Sequence, residues 1–395
     1  MQGKRFQSLN SPGMLVSINP FPSLIPSSDQ EYTQTPNKFV ATTLQYVLTY
    51  LQSRCLNIHG HVRVTILADD GYYSSSSSAS TRAKLDGFSD FGVGLNDAHK
   101  TGLGSSAALV SALTAALIAF HTRETSQTPS SRVVHNLAQA AHCAAQGKIG
   151  SGFDIAAAVY GPCVYRRFSP SILEAVGEPT SAEFAERLRV CIDDLSLEHK
   201  WDVEISSNAV QIPPTLLLLM CDVDCGSETP SLVRRILGWR KEKPVEADML
   251  WNAIQQGSDE LCRSLKSMSH QSALSSDQQE ELANIIATIR SFVRDMSRQA
   301  DVPVEPPVIT DLLDYCTALP GVIGGVAPGA GGYDAVALLV KNDVDTVRHL
   351  RDRLSHWRAK EDDSGVTVGQ VQLLSVKQAY HGIELEDTQR YQKWL

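Results

Sequence analysis

The run Lys100-Thr101-Gly102-Leu103-Gly104-Ser105-Ser106-Ala107-Ala108 leads straight into an alanine- and leucine-rich segment with no charge until after Phe120. Leu109, Leu113, Leu117 and Phe120 fall on one helical face, and the alanines let the other face pack closely. A helix with no polar face must be buried. The glycines before it let the backbone take φ > 0 and close around a ligand. The free N–H groups and positive dipole end of the helix then face whatever the loop holds, which suits a polyphosphate. The serine hydroxyls can meet phosphate oxygen or a bound metal ion. A Gly/Ser turn that merely caps a buried helix accounts for the same residues, so the neighbouring clusters have to decide.

At 395 residues the chain exceeds one ordinary core and is expected to form two domains. A net charge of −9 argues against nucleic acid as a general partner and makes any clustered basic residues informative. No apolar run reaches bilayer length, so no membrane is expected. The start, Met1 to Phe6, lacks the apolar core of a secretory signal, and Trp394-Leu395 carries no peroxisomal or lipidation motif. The expected compartment is cytoplasmic. The eight cysteines lack paired metal-ligand spacing beyond Cys221 and Cys225 and are read as reduced structural thiols.

Periodicity predicts helices over Phe39–Leu51 and Ser131–Gln146, strands over Val62–Leu67 and Val164–Phe168, and a short helix from near Asp154. Gly71 to Arg82, with five consecutive serines, reads as a loop. Residues 1–37 are expected to be poorly ordered or weakly strand-forming, 38–212 to form one domain and 213–395 another. In the second, a strand at Thr215–Met220 precedes a helix capped by Thr229-Pro230, and long helices cover 246–268 and 277–299. A strand at Ala335–Val340, a helix at Val344–Leu354 and a strand at Val368–Leu374 complete an α+β layer, a sheet backed by helices.

Three further clusters carry chemistry. In Gln146-Gly147-Lys148-Ile149-Gly150-Ser151-Gly152-Phe153-Asp154, a helix ends at glycine and a Gly-Ser-Gly turn delivers Asp154 to the next helix. Asp154 is either a plain N-terminal helix carboxylate or, ionised beside Lys148, a group that orients a metal ion or an attacking group. In Tyr165-Arg166-Arg167-Phe168 the two arginines of a strand point oppositely, so at most one serves a given site. An arginine fork suits phosphate or carboxylate. Pro328-Gly329-Ala330-Gly331-Gly332-Tyr333-Asp334 has three glycines in four residues, for close backbone approach to a ligand or for a tight hairpin.

Together these clusters resemble the GHMP small-molecule kinases, and within them the eukaryotic phosphomevalonate kinase branch. Lys100 to Ala108 looks like that family's central phosphate-loop motif. Ala141 to Gly161 (AHCAAQGKIGSGFDIAAAVYG), the following YRRF, Gly226-Ser227-Glu228-Thr229, Glu305-Pro306-Pro307 and PGAGGYD are similar to the branch. The similarity runs from about Asn37 to the C-terminus. The resemblance implies a two-domain α+β GHMP kinase fold, with a ribosomal-protein-like N-terminal domain and a ferredoxin-like C-terminal domain. It also implies phosphorylation of 5-phosphomevalonate by ATP, with Mg²⁺, in isoprenoid and sterol precursor synthesis.

On the family pattern Gly102, Leu103, Gly104, Ser105, Ser106 and Ala107 would hold the nucleotide phosphates, with Ser106 on the metal. Asp154 and Lys100 would be catalytic. His142, Lys148, Ser151, Gly152, Arg166, Arg167, Ser227, Gly329, Ala330, Gly331 and Gly332 would meet the substrate, a small molecule. The resemblance sets no oligomeric state.

The chain departs from the pattern at its start. The family opens with a strand bearing Pro-Gly-Lys; here Ser11-Pro12-Gly13-Met14-Leu15 puts methionine at the lysine position, and His99 replaces the proline before the loop. The N-terminal strands are therefore expected to be missing. The alternative reading is a non-catalytic remnant that binds nucleotide or a partner subunit.

Overall fold

The computed structural model describes residues 5–8, 14–21, 37–56, 58, 61–69, 72, 88, 103–122, 130–207, 209–223, 229–359, 370–374 and 379–386. In chain order the first elements are β1 (Arg5–Ser8), β2 (Met14–Phe21), α1 (Lys38–Ser53), β3 (His61–Ala68), α2 (Ser105–His121), α3 (Ser131–Gln146) and α4 (Phe153–Tyr160). Next come β4 (Cys163–Arg166), α5 (Ser171–Glu174), α6 (Phe184–Ile192), β5 (Glu204–Ser207), β6 (Leu216–Val223), α7 (Thr229–Glu242), α8 (Pro244–Met268) and α9 (Ser276–Ala300). The last are α10 (Pro307–Thr317), β7 (Val322–Val326), β8 (Ala335–Lys341), α11 (Val344–His356), β9 (Val371–Leu373) and β10 (Ile383–Leu385).

The chain divides into two compact units, 1–208 with 379–395, and 209–378. The boundary thus falls four residues before the expected 212/213, and the C-terminal segment returns to the first unit instead of closing the second. The return is made by β10, which pairs antiparallel with β1, Phe6 opposite Leu385. His381 and Gly382 lie so close to the end of α4 that a Cβ on Gly161 would stand 2.6 Å from the His381 carbonyl carbon.

In the first unit an antiparallel sheet runs in the order β10-β1-β2-β3. The expectation that the N-terminal strands are missing is corrected here: β1 and β2 both come from the segment 1–37. That segment was also expected to be poorly ordered or weakly strand-forming. Ser, Pro and Asn hide its alternation, and long-range pairing with β3 and β10 makes up for weak local preference. Pro20 is accommodated because β1 pairs only with Met14–Ser17, which leaves Pro20 facing β3 alone.

Against β1 and β2 packs α2, which also meets α1, α3 and α4. Every residue of α2 from Ala107 to Phe120 is buried, as a helix without charge requires. Val16, Leu51, Leu113, Leu117, Leu137 and Ile155 belong to the same core.

The second unit carries a four-stranded antiparallel sheet, β7-β8-β6-β9, in the β-α-β-β-α-β sequence of a ferredoxin-like layer. Val336, Leu338 and Val340 of β8 share one buried core with Ile309, Leu312 and Leu313 of α10. A capping box at Ser275 and Gln278 opens α9. Among the described residues no helix is long and apolar enough to cross a membrane, and the seven described cysteines are free.

One buried group gives the first unit a measurable acid sensitivity. His135 of α3 lies between the rings of Tyr160 and Trp201, at 5.5 and 5.8 Å. Its Nδ1 donates to Asn136 Oδ1 at 3.1 Å, while Nε2 is buried with no hydrogen-bond partner among the described residues. Burial pushes its pKa down from 6.5 to about 4, against the opposing hydrogen bond to Asn136.

Above pH 6.5 both folded and unfolded chains hold this ring neutral, so its full stability is present there. As pH falls towards 4 the unfolded chain takes the proton first, and about 3 kcal/mol of stability is lost. Urea midpoints measured from pH 7 to 4 should fall by about one proton's slope less in His135→Gln than in the parent chain. Equal slopes would show that His135 is not the group responsible.

Candidate active site

Within the first unit, the residue before α2 is Gly104, with φ +77°, and no side chain caps the helix. Its carbonyl accepts from the Ala107 and Ala108 amides at 3.1 Å, which leaves the loop side of the helix start to a ligand. A Cβ built on Gly104 would be 4.0 Å from Asp154 Cβ. The glycine-serine loop and the aspartate, 50 residues apart in sequence, are therefore neighbours.

Asp154 sits in the first turn of α4, where its Oδ1 accepts from the Ile155 amide at 2.9 Å. Its Oδ2 faces His142 Nε2 at 3.9 Å, and the side chain is 26% exposed. The turn that carries it is held from three sides. Gly147, φ +69°, ends α3, and the Lys148 amide donates back to the Cys143 carbonyl at 3.2 Å. Gly152, φ +84°, has no room for a side chain, because a Cβ would lie 2.6 Å from Tyr165 Oη. Tyr165 donates its phenol to the Ser151 carbonyl at 2.8 Å, and burial keeps that phenol protonated by raising its pKa to about 12.

The two arginines have different surroundings. Arg166, the last residue of β4, pairs with Glu204 on β5 at 3.0 Å and is 74% exposed. Arg167 lies beyond the strand and donates to the carbonyls of Gly150 (3.1 Å) and Ile149 (3.0 Å), so its fork is engaged with the Asp154 turn.

His142, expected to meet the substrate, is 2% exposed. Its Nε2 lies 3.0 Å from Ser106 Oγ and 3.4 Å from Gln146 Nε2, and its ring packs on Phe39 at 5.5 Å. Burial lowers its pKa while the nearby Asp154 raises it, and burial is the stronger, so the ring is neutral at pH 7. Leu103 and Ser106 are half-buried, Ser105 and Ala107 buried, and Lys148 and Ser151 exposed. Lys100, Gly102 and Ser227 lie outside the described residues, as does most of the Gly71–Arg82 loop.

In the second unit, Gly329, Gly331 and Gly332 all have positive φ. A Cβ on Gly331 would run into the Val304 carbonyl, which accepts from the Gly332 amide at 2.9 Å. The next residue, Glu305, is 1% exposed and meets Arg290 at 2.7 Å and Arg294 at 3.1 Å. Thr310 Oγ1 donates to the same carboxylate at 3.1 Å, and Arg290 also reaches Asp314 at 2.8 Å. Sequence reasoning marked Glu305-Pro306-Pro307 only as a signature. Arg290 and Arg294 stand on a helix whose other basic residue, Arg298, is solvent-facing, and nothing in their local sequence told them from it. Ala330 is half-buried within the turn.

The arrangement offers hydroxyl and backbone donors at a helix start, one carboxylate and a rigid cation-bearing turn. That set can bind phosphate and position a cation; no Ser-His-Asp relay is formed, since Asp154 and Ser106 both face the same nitrogen of His142.

Residues 96–162 match the family described as GHMP kinases N terminal domain. A phosphomevalonate kinase of Aspergillus fumigatus is 46% identical over 91% of this chain and 75% of its own length. One of Gibberella zeae is 43% identical over 91% of this chain and 79% of its own. Among solved structures, Streptococcus pneumoniae phosphomevalonate kinase in complex with phosphomevalonate and AMPPNP superposes with a TM-score of 0.55 at 14% identity. It covers 94% of this chain and 98% of that one, which speaks to the fold alone.

Proposed function

Because this chain belongs to the phosphomevalonate kinase family of the GHMP kinases, we propose that it transfers the terminal phosphoryl group of ATP to 5-phosphomevalonate, giving 5-diphosphomevalonate and ADP. The observation that carries this reading is the approach of Gly104, at the start of α2, to Asp154, at the start of α4. It joins a phosphate-binding loop to a carboxylate in one unit.

The acceptor is already a phosphate monoester, largely dianionic at pH 7 because its second pKa is about 6. A general base has little left to remove. The barrier lies in bringing anionic phosphates together, which calls for cations and fixed geometry. On this reading Gly102, Leu103, Gly104, Ser105, Ser106 and Ala107 cradle the nucleotide phosphates. Lys100, Lys148 and Arg167 supply positive charge, and Asp154 orients a cation instead of taking a proton.

The oxygens of Ser106 and Asp154 are hard donors that fit Mg²⁺, which when bound neutralises charge between the phosphates. Ser151, Gly152, Ser227 and the turn Gly329, Ala330, Gly331 and Gly332 are assigned to the substrate, while Arg166, paired with Glu204, is the arginine left to the surface. The free cysteines support a reducing compartment, and the cytoplasm is the proposed one.

The test is ADP release by the purified chain in a coupled assay. Turnover is expected with phosphomevalonate, and at most about a hundredth of it with mevalonate, whose alcohol lacks the anionic anchor. Nucleotide binding without ADP release from either acceptor would instead favour the non-catalytic reading.

A further inference from the structure

We propose that His142 is a positioning residue, whose Nε2 holds the Ser106 hydroxyl in register with Asp154 so that the phosphate loop and the aspartate turn act as one unit. Ser106 lies in the first turn of α2, His142 in the last turns of α3 and Asp154 in the first turn of α4; His142 Nε2 stands 3.0 Å from Ser106 Oγ and 3.9 Å from Asp154 Oδ2. The ring cannot itself meet a substrate, being 2% exposed and packed on Phe39.

Two neighbours able to donate converge on Nε2, the Ser106 hydroxyl at 3.0 Å and the Gln146 amide nitrogen at 3.4 Å. A neutral ring with its proton on Nδ1 accepts from them. The Ser106 hydroxyl proton is thereby directed at His142, and both Oγ lone pairs are left for a cation or for donors in the loop. Gln146 extends the chain of contacts: its Oε1 would lie 3.4 Å from a Cβ on Gly150, in the turn that Arg167 clamps. A rotation of the ring would uncouple Ser106 from the Asp154 turn without moving the backbone of either.

The inference rests on the proposed reaction for its kinetic readout, and it is tested by a double-mutant cycle on the full chain. His142→Leu removes Nε2 at similar volume. His142→Gln returns an amide at its reach, and His142→Asn falls short of Ser106. We expect His142→Leu to lower kcat about 10- to 100-fold, with KM for phosphomevalonate changed less than about threefold. His142→Gln should recover most of the loss and His142→Asn should not.

In the Ser106→Ala background His142→Leu should cost less than about threefold, because the group it acts through is gone. Equal losses in both backgrounds, or equal activity of the Gln and Asn variants, overturn the proposal. The same cycle read as AMPPNP affinity by calorimetry needs no turnover. If the parent chain binds nucleotide but does not phosphorylate phosphomevalonate, the reaction is wrong while the coupling of His142 to Ser106 is still judged by that affinity cycle.

Discussion

Asp154→Asn is expected to lower kcat for phosphomevalonate about 10²- to 10³-fold, the range set by removing one preorganised charge or dipole from a phosphoryl-transfer site. The substitution keeps an oxygen able to accept the Ile155 amide, at present 2.9 Å away, so the start of α4 should survive. What is lost is a negative charge beside the phosphate loop, 4.0 Å by Cβ from where a side chain on Gly104 would begin. Since the acceptor phosphate needs no base, the defect should sit in kcat, with KM for both substrates changed only a few-fold. The melting temperature should stay within about 2 °C, because a partly exposed carboxylate paired only loosely with a neutral histidine contributes little to stability. The coupled ADP assay and a thermal melt on the same preparation check both halves. Activity within threefold of the parent would remove Asp154 from the transfer machinery.

How much of this could be read from residues alone depended on how local the cause was. The helices α3, α8 and α9 follow from periodicity and caps within one segment, and their observed bounds fall within about two residues of the sequence reading. The strands β1, β2 and β10 exist because of pairing across most of the chain: β1 and β10, four and three residues long, carry no period of their own, and the alternation of the eight-residue β2 is broken by Ser17, Asn19 and Pro20. The strand β7 was hidden by Gly324 and Gly325, which pack against Ile286 and Leu338 where a side chain would not fit.

The site follows the same rule. Glycines forced into positive φ at Gly104 and Gly152 mark the loops from sequence, because no other residue suits them. Which arginine turns towards the Asp154 turn depended on β4 ending at Arg166, a one-residue matter that alternation could not settle. The contact of Ser106 with His142 joins residues 36 apart, and no local pattern announces it.

The buried charges behind the second glycine turn lead to the other large effect. Glu305→Gln is expected to destabilise the second unit by about 3–5 kcal/mol, the usual result of leaving one partner of a buried ion pair uncompensated. The carboxylate is 1% exposed and accepts from Arg290, Arg294 and Thr310 at once. An amide oxygen can accept part of this set, but its NH₂ would confront Arg290, which is 7% exposed and keeps only the solvent-facing Asp314.

Arg290→Met should be destabilising for the mirror-image reason. The double variant should lose clearly less than the sum of the two, because neither charge is then stranded. The consequence for the site is geometric: Val304 precedes Glu305 and its carbonyl fastens the Gly332 amide at 2.9 Å. Freeing Glu305 should therefore speed hydrogen exchange at Gly331 and Gly332 before the sheet strands β6 and β8 begin to exchange. Urea unfolding followed by exchange mass spectrometry measures both quantities. A Glu305→Gln chain within 1 kcal/mol of the parent, with unchanged exchange in the turn, would mean that the network neither carries stability nor sets the turn, and that the glycines there hold their shape through backbone contacts alone.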